Sequence, residues 1–223
     1  MWPVLVIRGD NSIVRSIAYS PDGSQLVTGG EDGIVKVWDI RTGKNPLTLT
    51  GHNDDIWCVG WSPRGQKILT ASSDRTVRVW DSQTGSPLFS LRHDSPIYSA
   101  AYSPDGRQIL TAGGGVIGQP RESDNSIRVW DAQTGHQLIS HIAHDFWISS
   151  AKWSSNGQDV LTASGDWTAK ILSIRTGMEV LTLKGHQVEV MSVSWSPSGT
   201  SMIQVRLSRW GRRSSNRELV RAI

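Results

Sequence analysis

The chain has one cysteine, Cys58. That excludes an internal disulfide framework and a thiolate metal cluster, and it fits a reducing compartment. Phenylalanine and tyrosine are scarce, at two and three residues, yet there are eleven tryptophans. Such a bias marks one structural slot filled again and again by the same residue type. No stretch approaches the roughly 20 apolar residues of a membrane-spanning helix, so no membrane partner is expected. Residues 1–9 hold an apolar run without a basic leading segment or a cleavage pattern, and are not read as a signal peptide. The expectation is a soluble, intracellular protein in the cytoplasm. A basic excess is also missing outside one place. Six arginines stand against Glu218 alone in residues 206–223, which outweighs the whole net charge of +3. The remaining chain is slightly negative, which is ordinary solubility rather than a nucleic-acid surface.

What is present is a repeat. The chain aligns on five anchors, Asp10, His52, His93, His144 and His186, spaced by 42, 41, 51 and 42 residues. Nine residues after each anchor stands an aromatic: Tyr19, Trp61, Tyr102, Trp153 and Trp195. Thirteen after each stands a glycine: Gly23, Gly65, Gly106, Gly157 and Gly199. Eighteen after the first four stands a threonine: Thr28, Thr70, Thr111 and Thr162. Chance does not hold such a register through five cycles.

Each unit reads as four short strands. In the second, residues 56–61 are β-branched and aromatic, and Ser62-Pro63-Arg64-Gly65 is a turn. Proline presets one turn dihedral and glycine accepts a positive φ. Strands follow at 67–71, at 76–80 with alternating Val77 and Val79, and at 87–91, separated by polar turns at 72–75 and at Thr84-Gly85. Short strands at regular spacing indicate a sandwich, a barrel or a radially repeated sheet. A fixed period near 42 with four strands per unit selects the radial option, the propeller.

Trp38-Asp39, Trp80-Asp81 and Trp130-Asp131 end the third strands. Gly51-His52 and Gly185-His186 open two units, and Ser20-Pro21-Asp22-Gly23 and Ser103-Pro104-Asp105-Gly106 fill the first turn. Together these resemble the WD-repeat family over about residues 2–203, and the repeated VWD-x-x-TG and LTAS elements resemble bacterial members more than eukaryotic ones. The resemblance implies an all-β propeller of four-stranded antiparallel blades. Four complete units, at about 8–50, 51–91, 92–142 and 143–183, would be followed by a partial fifth at 184–203 and a basic irregular tail at 204–223.

His, Thr, Asp and Trp recur at matched places: His52, Thr70, Asp74 and Trp80, then His93, Thr111, Asp124 and Trp130. The fourth unit has His144, Thr162 and Asp166, with Leu172 in the Trp slot. A hydrolase would build such a constellation once; this chain carries it three times. The resemblance implies instead a structural chain of hydrogen bonds from Asp to His, His to Thr, and Thr to the indole N–H. The first unit carries Asp10 in the His slot beside Thr28, Asp32 and Trp38. Its two carboxylates should repel, so this blade is expected to be the weaker one, or Asp10 to face solvent. His136, His141 and His144 lack a carboxylate at ligand spacing, and Gly113-Gly114-Gly115 lacks the Lys-Ser or Lys-Thr of a phosphate loop. No metal, cofactor or catalytic residue is expected.

Function on a propeller sits on loops and strand ends. The resemblance places partners on the face holding the entry to each first strand. The residues five after each anchor lie there, Arg15, Trp57, Tyr98, Ser149 and Met191, joined by those just before the turn Asp, Glu31, Ser73, Ser123 and Gly165. Trp57 and Tyr98 in successive units are the sharpest signal, because aromatics make binding hot spots. Trp147 and Trp167 extend the patch on the fourth unit. An insertion of nine residues within 113–125 is either a functional loop or a tolerated one.

The fifth unit loses the pattern at Gln204, Ser208 and Ser214, where Thr, Asp and Trp are due. Residues 2–7 resemble a fourth strand with no blade before it, so closure would leave the fifth blade without a third strand. A fragment of a longer propeller, an incomplete ring, or a change of reading frame near residue 204 would each account for this. The expected function is a non-catalytic protein-interaction scaffold with proteins or peptides as partners, and with neither a nucleic acid nor a small molecule as ligand. The alternative is the regulatory or sensor portion of a larger bacterial signalling ATPase or kinase.

Overall fold

The computed structural model describes residues 12–115, 124–196, 202–207 and 217–221, the last two stretches as backbone. The chain divides into two compact units, 1–100 and 101–223. Every regular element among the described residues is a strand. The first sheet is β1 (Val14–Tyr19), β2 (Gln25–Gly30), β3 (Val35–Asp39) and β4 (Leu47–Leu49) in sequence order. The second is β5 (Ile56–Trp61), β6 (Lys67–Ser72), β7 (Thr76–Asp81) and β8 (Pro87–Arg92). The third is β9 (Ile97–Tyr102), β10 (Gln108–Gly113), β11 (Ser126–Asp131) and β12 (Gln137–Ile142). The fourth is β13 (Ile148–Trp153), β14 (Asp159–Ser164), β15 (Ala169–Ser173) and β16 (Glu179–Leu183). These are the four-stranded antiparallel blades the periodicity predicts, and in the second sheet each strand end falls within a residue of the sequence reading.

The turns follow from their residues. The Gly23 N–H donates to the Ser20 carbonyl at 2.9 Å, with φ of 71° at Gly23, a conformation that costs glycine little. After the third strand of the first three sheets the Asp of the Trp-Asp pair closes the next turn. Asp81 Oδ1 accepts the Gln83 and Thr84 N–H groups at 3.0 and 2.8 Å.

Sheets pack by one rule within each unit. In the first, Val27, Val35, Val37 and Leu49 of the first sheet meet Ile56, Val59, Ile68 and Trp80 of the second. In the second, Leu161, Ala163 and Ala169 of the fourth sheet meet Val190 and Val193 of β17 (Val190–Ser194). Each fully buried aliphatic side chain of this kind contributes about 1.5–3 kcal/mol. A tryptophan stitches each junction: Trp61 Nε1 donates to the Ala18 carbonyl at 3.2 Å, and Trp195 Nε1 to that of Lys152 at 3.2 Å. This is why one aromatic slot recurs every forty-odd residues.

The fifth sheet departs from expectation. It has three strands, β17, β18 (Met202–Leu207) and β19 (Arg217–Arg221), the last two inside or across the stretch read as irregular. A third strand therefore exists, and it pairs with β18 from Met202↔Arg221 to Arg206↔Arg217. Alternation of Ile203, Val205 and Leu207 with Gln204 and Arg206 is the strand signal that counting anchors passed over. The register also slips. Ile17 pairs with Thr28, Val59 with Thr70 and Ala151 with Thr162, whereas Val193 pairs with Val205, one residue beyond Gln204. Residues 2–7, Asp10 and most of the insertion lie outside the described residues.

Candidate functional site

A bulge recurs at the same place in the first hairpin of four sheets. The ladder shifts between Val14 and Ser16, Ile56 and Cys58, Ile148 and Ser150, and Val190 and Ser192. The residues left out of the pairing are Arg15, Trp57, Ser149 and Met191, which are those five after each anchor. A bulge releases one residue from the ladder and re-aims its side chain, commonly at a binding site. The positions counted in the sequence thus coincide with a structural device.

In the first unit these residues converge. The Arg15 guanidinium lies 4.1 Å from the centre of the Trp57 ring, a cation–π contact. One of its nitrogens bridges Glu31 at 2.7 Å and Asp55 at 2.9 Å. The Trp57 indole N–H donates to the Ser73 hydroxyl at 2.6 Å. The Tyr98 ring meets Trp57 edge-on, with centroids 5.4 Å apart. Burial raises the Tyr98 phenol above its ordinary pKa. Arg15, Glu31, Trp57, Ser73 and Tyr98 therefore form one cluster drawn from three consecutive repeats. Asp55 joins it and was missed, because it falls off the two counted positions.

In the second unit the matched positions do other work. The Ser149 hydroxyl lies 2.7 Å from the Val190 carbonyl and 3.1 Å from that of Ala163, tying the fourth sheet to the fifth. Met191 is half-buried. Gly165 faces Trp147, which is buried, while Trp167 is 51% exposed. Ser123 lies outside the described residues.

The buried network is built as the resemblance implies in two units. His52 Nδ1 lies 2.7 Å from Asp74 Oδ2, and Nε2 lies 2.7 Å from Thr70 Oγ1, which accepts the Trp80 indole N–H at 2.9 Å. In the fourth sheet, His144 lies 2.8 Å from Asp166 and 2.7 Å from Thr162. Burial alone would raise both carboxyls. Hydrogen bonds from His52 and Thr76 hold Asp74 well below the usual carboxylate range, and those from His144 and Thr168 do so for Asp166. Thr76 and Thr168 stand two residues after each Asp, a signal that the repeat alignment contained. Trp38 donates to Thr28 and Trp130 to Thr111, each at 2.9 Å. Asp32 accepts the Ile34 N–H at 3.1 Å. Asp124, just before β11, engages Ser126 and Arg128. His93 is half-buried and donates its backbone N–H to the Arg75 carbonyl at 3.0 Å. Thr70 and Thr162 have no exposed surface, so neither hydroxyl can meet a substrate.

A family model described as "WD domain, G-beta repeat" matches residues 1–39, 43–81, 85–131, 135–173 and 177–203. Its second, third and fourth units each take the outer strand of the preceding sheet, and the first four end at the Trp-Asp position, so sequence repeat and sheet are offset by one strand. Ribosome biogenesis protein erb1 of Botryotinia fuckeliana is 51% identical over 39 residues, 18% of this chain and 5% of the relative. Periodic tryptophan protein 2 of Saccharomyces cerevisiae is 52% identical over 40 residues, 18% and 4% of the two chains. Its homolog in Dictyostelium discoideum is 43% identical over 47 residues, 21% and 5%. The match thus spans about one repeat and a twentieth of each relative's length. These relatives are eukaryotic, and they do not support the bacterial-type resemblance.

Proposed function

Because the chain belongs to the WD-repeat family, we propose that it is a non-catalytic scaffold that holds other proteins or peptides through the Arg15–Trp57–Tyr98 cluster. The observation that carries this reading is the convergence of Arg15 and Tyr98, from the repeats on either side, on the ring of the bulge residue Trp57. Arg, Trp and Tyr are the residues that dominate binding hot spots, because each offers a large contact area and a polar handle. A non-enzymatic role is supported by the burial of Thr70 and Thr162. A cytoplasmic setting belongs to the same reading, supported by the free thiol of Cys58.

Pull-down with wild type against a Trp57→Ala, Tyr98→Ala double variant tests the cluster, with circular dichroism confirming that the variant keeps its β content. Partner recovery should fall at least tenfold; equal recovery from both would sink the proposal. The relatives' names support a more specific version, in which the held proteins take part in ribosome biogenesis. Co-sedimentation with ribosome precursors tests that version. The relatives named above do not support the bacterial ATPase or kinase alternative.

A further inference from the structure

Of the six asparagines, Asn156 alone is followed by glycine. The pair sits in the turn between β13 and β14, with Asn156 exposed. At the matching place the first and third sheets carry aspartate, in Asp22-Gly23 and Asp105-Gly106. Gly23, Gly106 and Gly157 share one conformation, with φ of 71°, 75° and 69°. The side-chain bonds match as well. Ser20 and Ser103 donate their hydroxyls to Asp22 Oδ1 and Asp105 Oδ1 at 2.5 and 2.6 Å. The Ser24 and Arg107 N–H groups donate to the same two oxygens at 3.1 and 3.0 Å. In the fourth sheet the Ser154 hydroxyl and the Gln158 N–H donate to Asn156 Oδ1 at 2.7 and 3.0 Å. A turn that suits aspartate thus holds its amide.

The same geometry favours one reaction of that amide. Attack of the Gly157 nitrogen on Asn156 Cγ places negative charge on Oδ1, the atom that both donors already face. Donors fixed at hydrogen-bond distance from a developing oxyanion lower the barrier to its formation. Glycine adds to this, because the attacking nitrogen has no Cβ beside it. One contact opposes the step: the Gly157 N–H donates to the Ser154 carbonyl at 3.0 Å, and that bond must open first.

We propose that Asn156 is this chain's first site of deamidation, and that the aspartyl product keeps the turn. The Gly157 amide gives its proton to solvent base, and its nitrogen bonds to Asn156 Cγ. The Cγ–Nδ2 bond breaks, Nδ2 takes up a proton, and ammonia leaves a five-membered imide. Water then opens the imide at one of two bonds. Cleavage between the nitrogen and Cγ gives aspartate, whose carboxylate keeps both donors. The matching bonds from Ser20 and Ser24 lower the Asp22 carboxyl to about 2, so such a group is charged at neutral pH. Cleavage between the nitrogen and the main-chain carbonyl carbon gives an isoaspartyl link, which adds a methylene to the main chain. That longer chain does not fit. The Ser154 N–H meets the Asp159 carbonyl at 2.9 Å, and the Asp159 N–H meets Ser154 Oγ at 3.0 Å, so the turn is closed at both ends.

Incubation of the folded full chain in mildly alkaline buffer tests the site. Mass spectrometry of proteolytic peptides should find the amide-to-acid mass change first at Asn156, and Gly157→Ala should slow it at least tenfold. A change that comes first at another asparagine, or a Gly157→Ala variant that reacts at the wild-type rate, overturns the site. So does a folded chain still intact when a guanidinium-unfolded control has fully reacted. Asn156→Asp tests the product. Its urea midpoint should equal or exceed that of wild type, and the isoaspartyl form, separated from the incubated chain by ion exchange, should unfold at lower urea. A midpoint for Asn156→Asp below wild type, or an isoaspartyl form as stable as that variant, overturns the fit.

Discussion

Thr70 Oγ1 sits 2.7 Å from His52 Nε2, and the same oxygen receives the Trp80 indole N–H at 2.9 Å. In the fourth sheet Thr162 meets His144 in the same way, but Leu172 occupies the Trp slot. Removing the Thr70 hydroxyl therefore strands two polar groups, and removing that of Thr162 strands one. A stranded buried group costs roughly 1–3 kcal/mol. Thr70→Val should destabilise the protein more than Thr162→Val, by about the cost of one such group. Urea denaturation of the two variants measures the difference, and equal losses would contradict the network.

The same network sets a pH dependence. Asp74 and Asp166 are held below their ordinary value near 3.8, chiefly by bonds from the facing histidine, against the opposing effect of burial. A carboxyl depressed in the folded state adds stability that is complete above the unfolded value and is lost as pH falls through the folded one. Stability should thus decline below about pH 4. Asp74→Asn should cost roughly 1–3 kcal/mol at pH 7, with the gap to wild type closing as the pH falls. Denaturation midpoints at pH 7, 5 and 3 check this; a gap that stays constant would remove Asp74 from the acid response.

Much of this was legible because the repeat multiplies every signal. The strands of the second unit, the Trp slot and the His–Asp–Thr chain are each written several times in register. The cluster at Trp57 was legible by position, but its pairing was not: that Arg15 covers the ring depends on the bulge, which no residue type announces. The fifth sheet was missed for a related reason. Once Gln204 replaced Thr the repeat count failed, and the simple alternation through Leu207 was masked by arginines. Ser149 kept the right position, yet its hydroxyl ties two sheets, a use that position alone does not reveal.

Two turns carry backbone strain. Gly33, Arg75 and Trp167 occupy the same turn position, with φ of 69°, 67° and 70°. A left-handed backbone costs a residue with a Cβ about 1–2 kcal/mol, partly offset by the greater chain entropy of unfolded glycine. Arg75→Gly and Trp167→Gly should each raise stability by up to about 1 kcal/mol. Chemical denaturation checks both, and a loss at Arg75→Gly would show that its side chain contributes more than the strain removes.

Gly165 occupies in the fourth sheet the place that Ser73 holds in the second. There the serine accepts the Trp57 indole. At Gly165 a Cβ would stand 2.6 Å from Trp147 Cε2, 2.7 Å from its Nε1 and 2.9 Å from Phe146 Cδ1. The large rigid ring is buried and cannot yield cheaply. Gly165→Ser, which copies the second sheet, should therefore cost roughly 1–3 kcal/mol by overpacking. The clash has one principal source, so shrinking it should restore much of the loss. Trp147→Leu combined with Gly165→Ser should be less destabilising than the sum of the two single changes, a coupling of at least about 0.5 kcal/mol. Additive losses in that cycle would mean that the serine is tolerated by backbone adjustment instead.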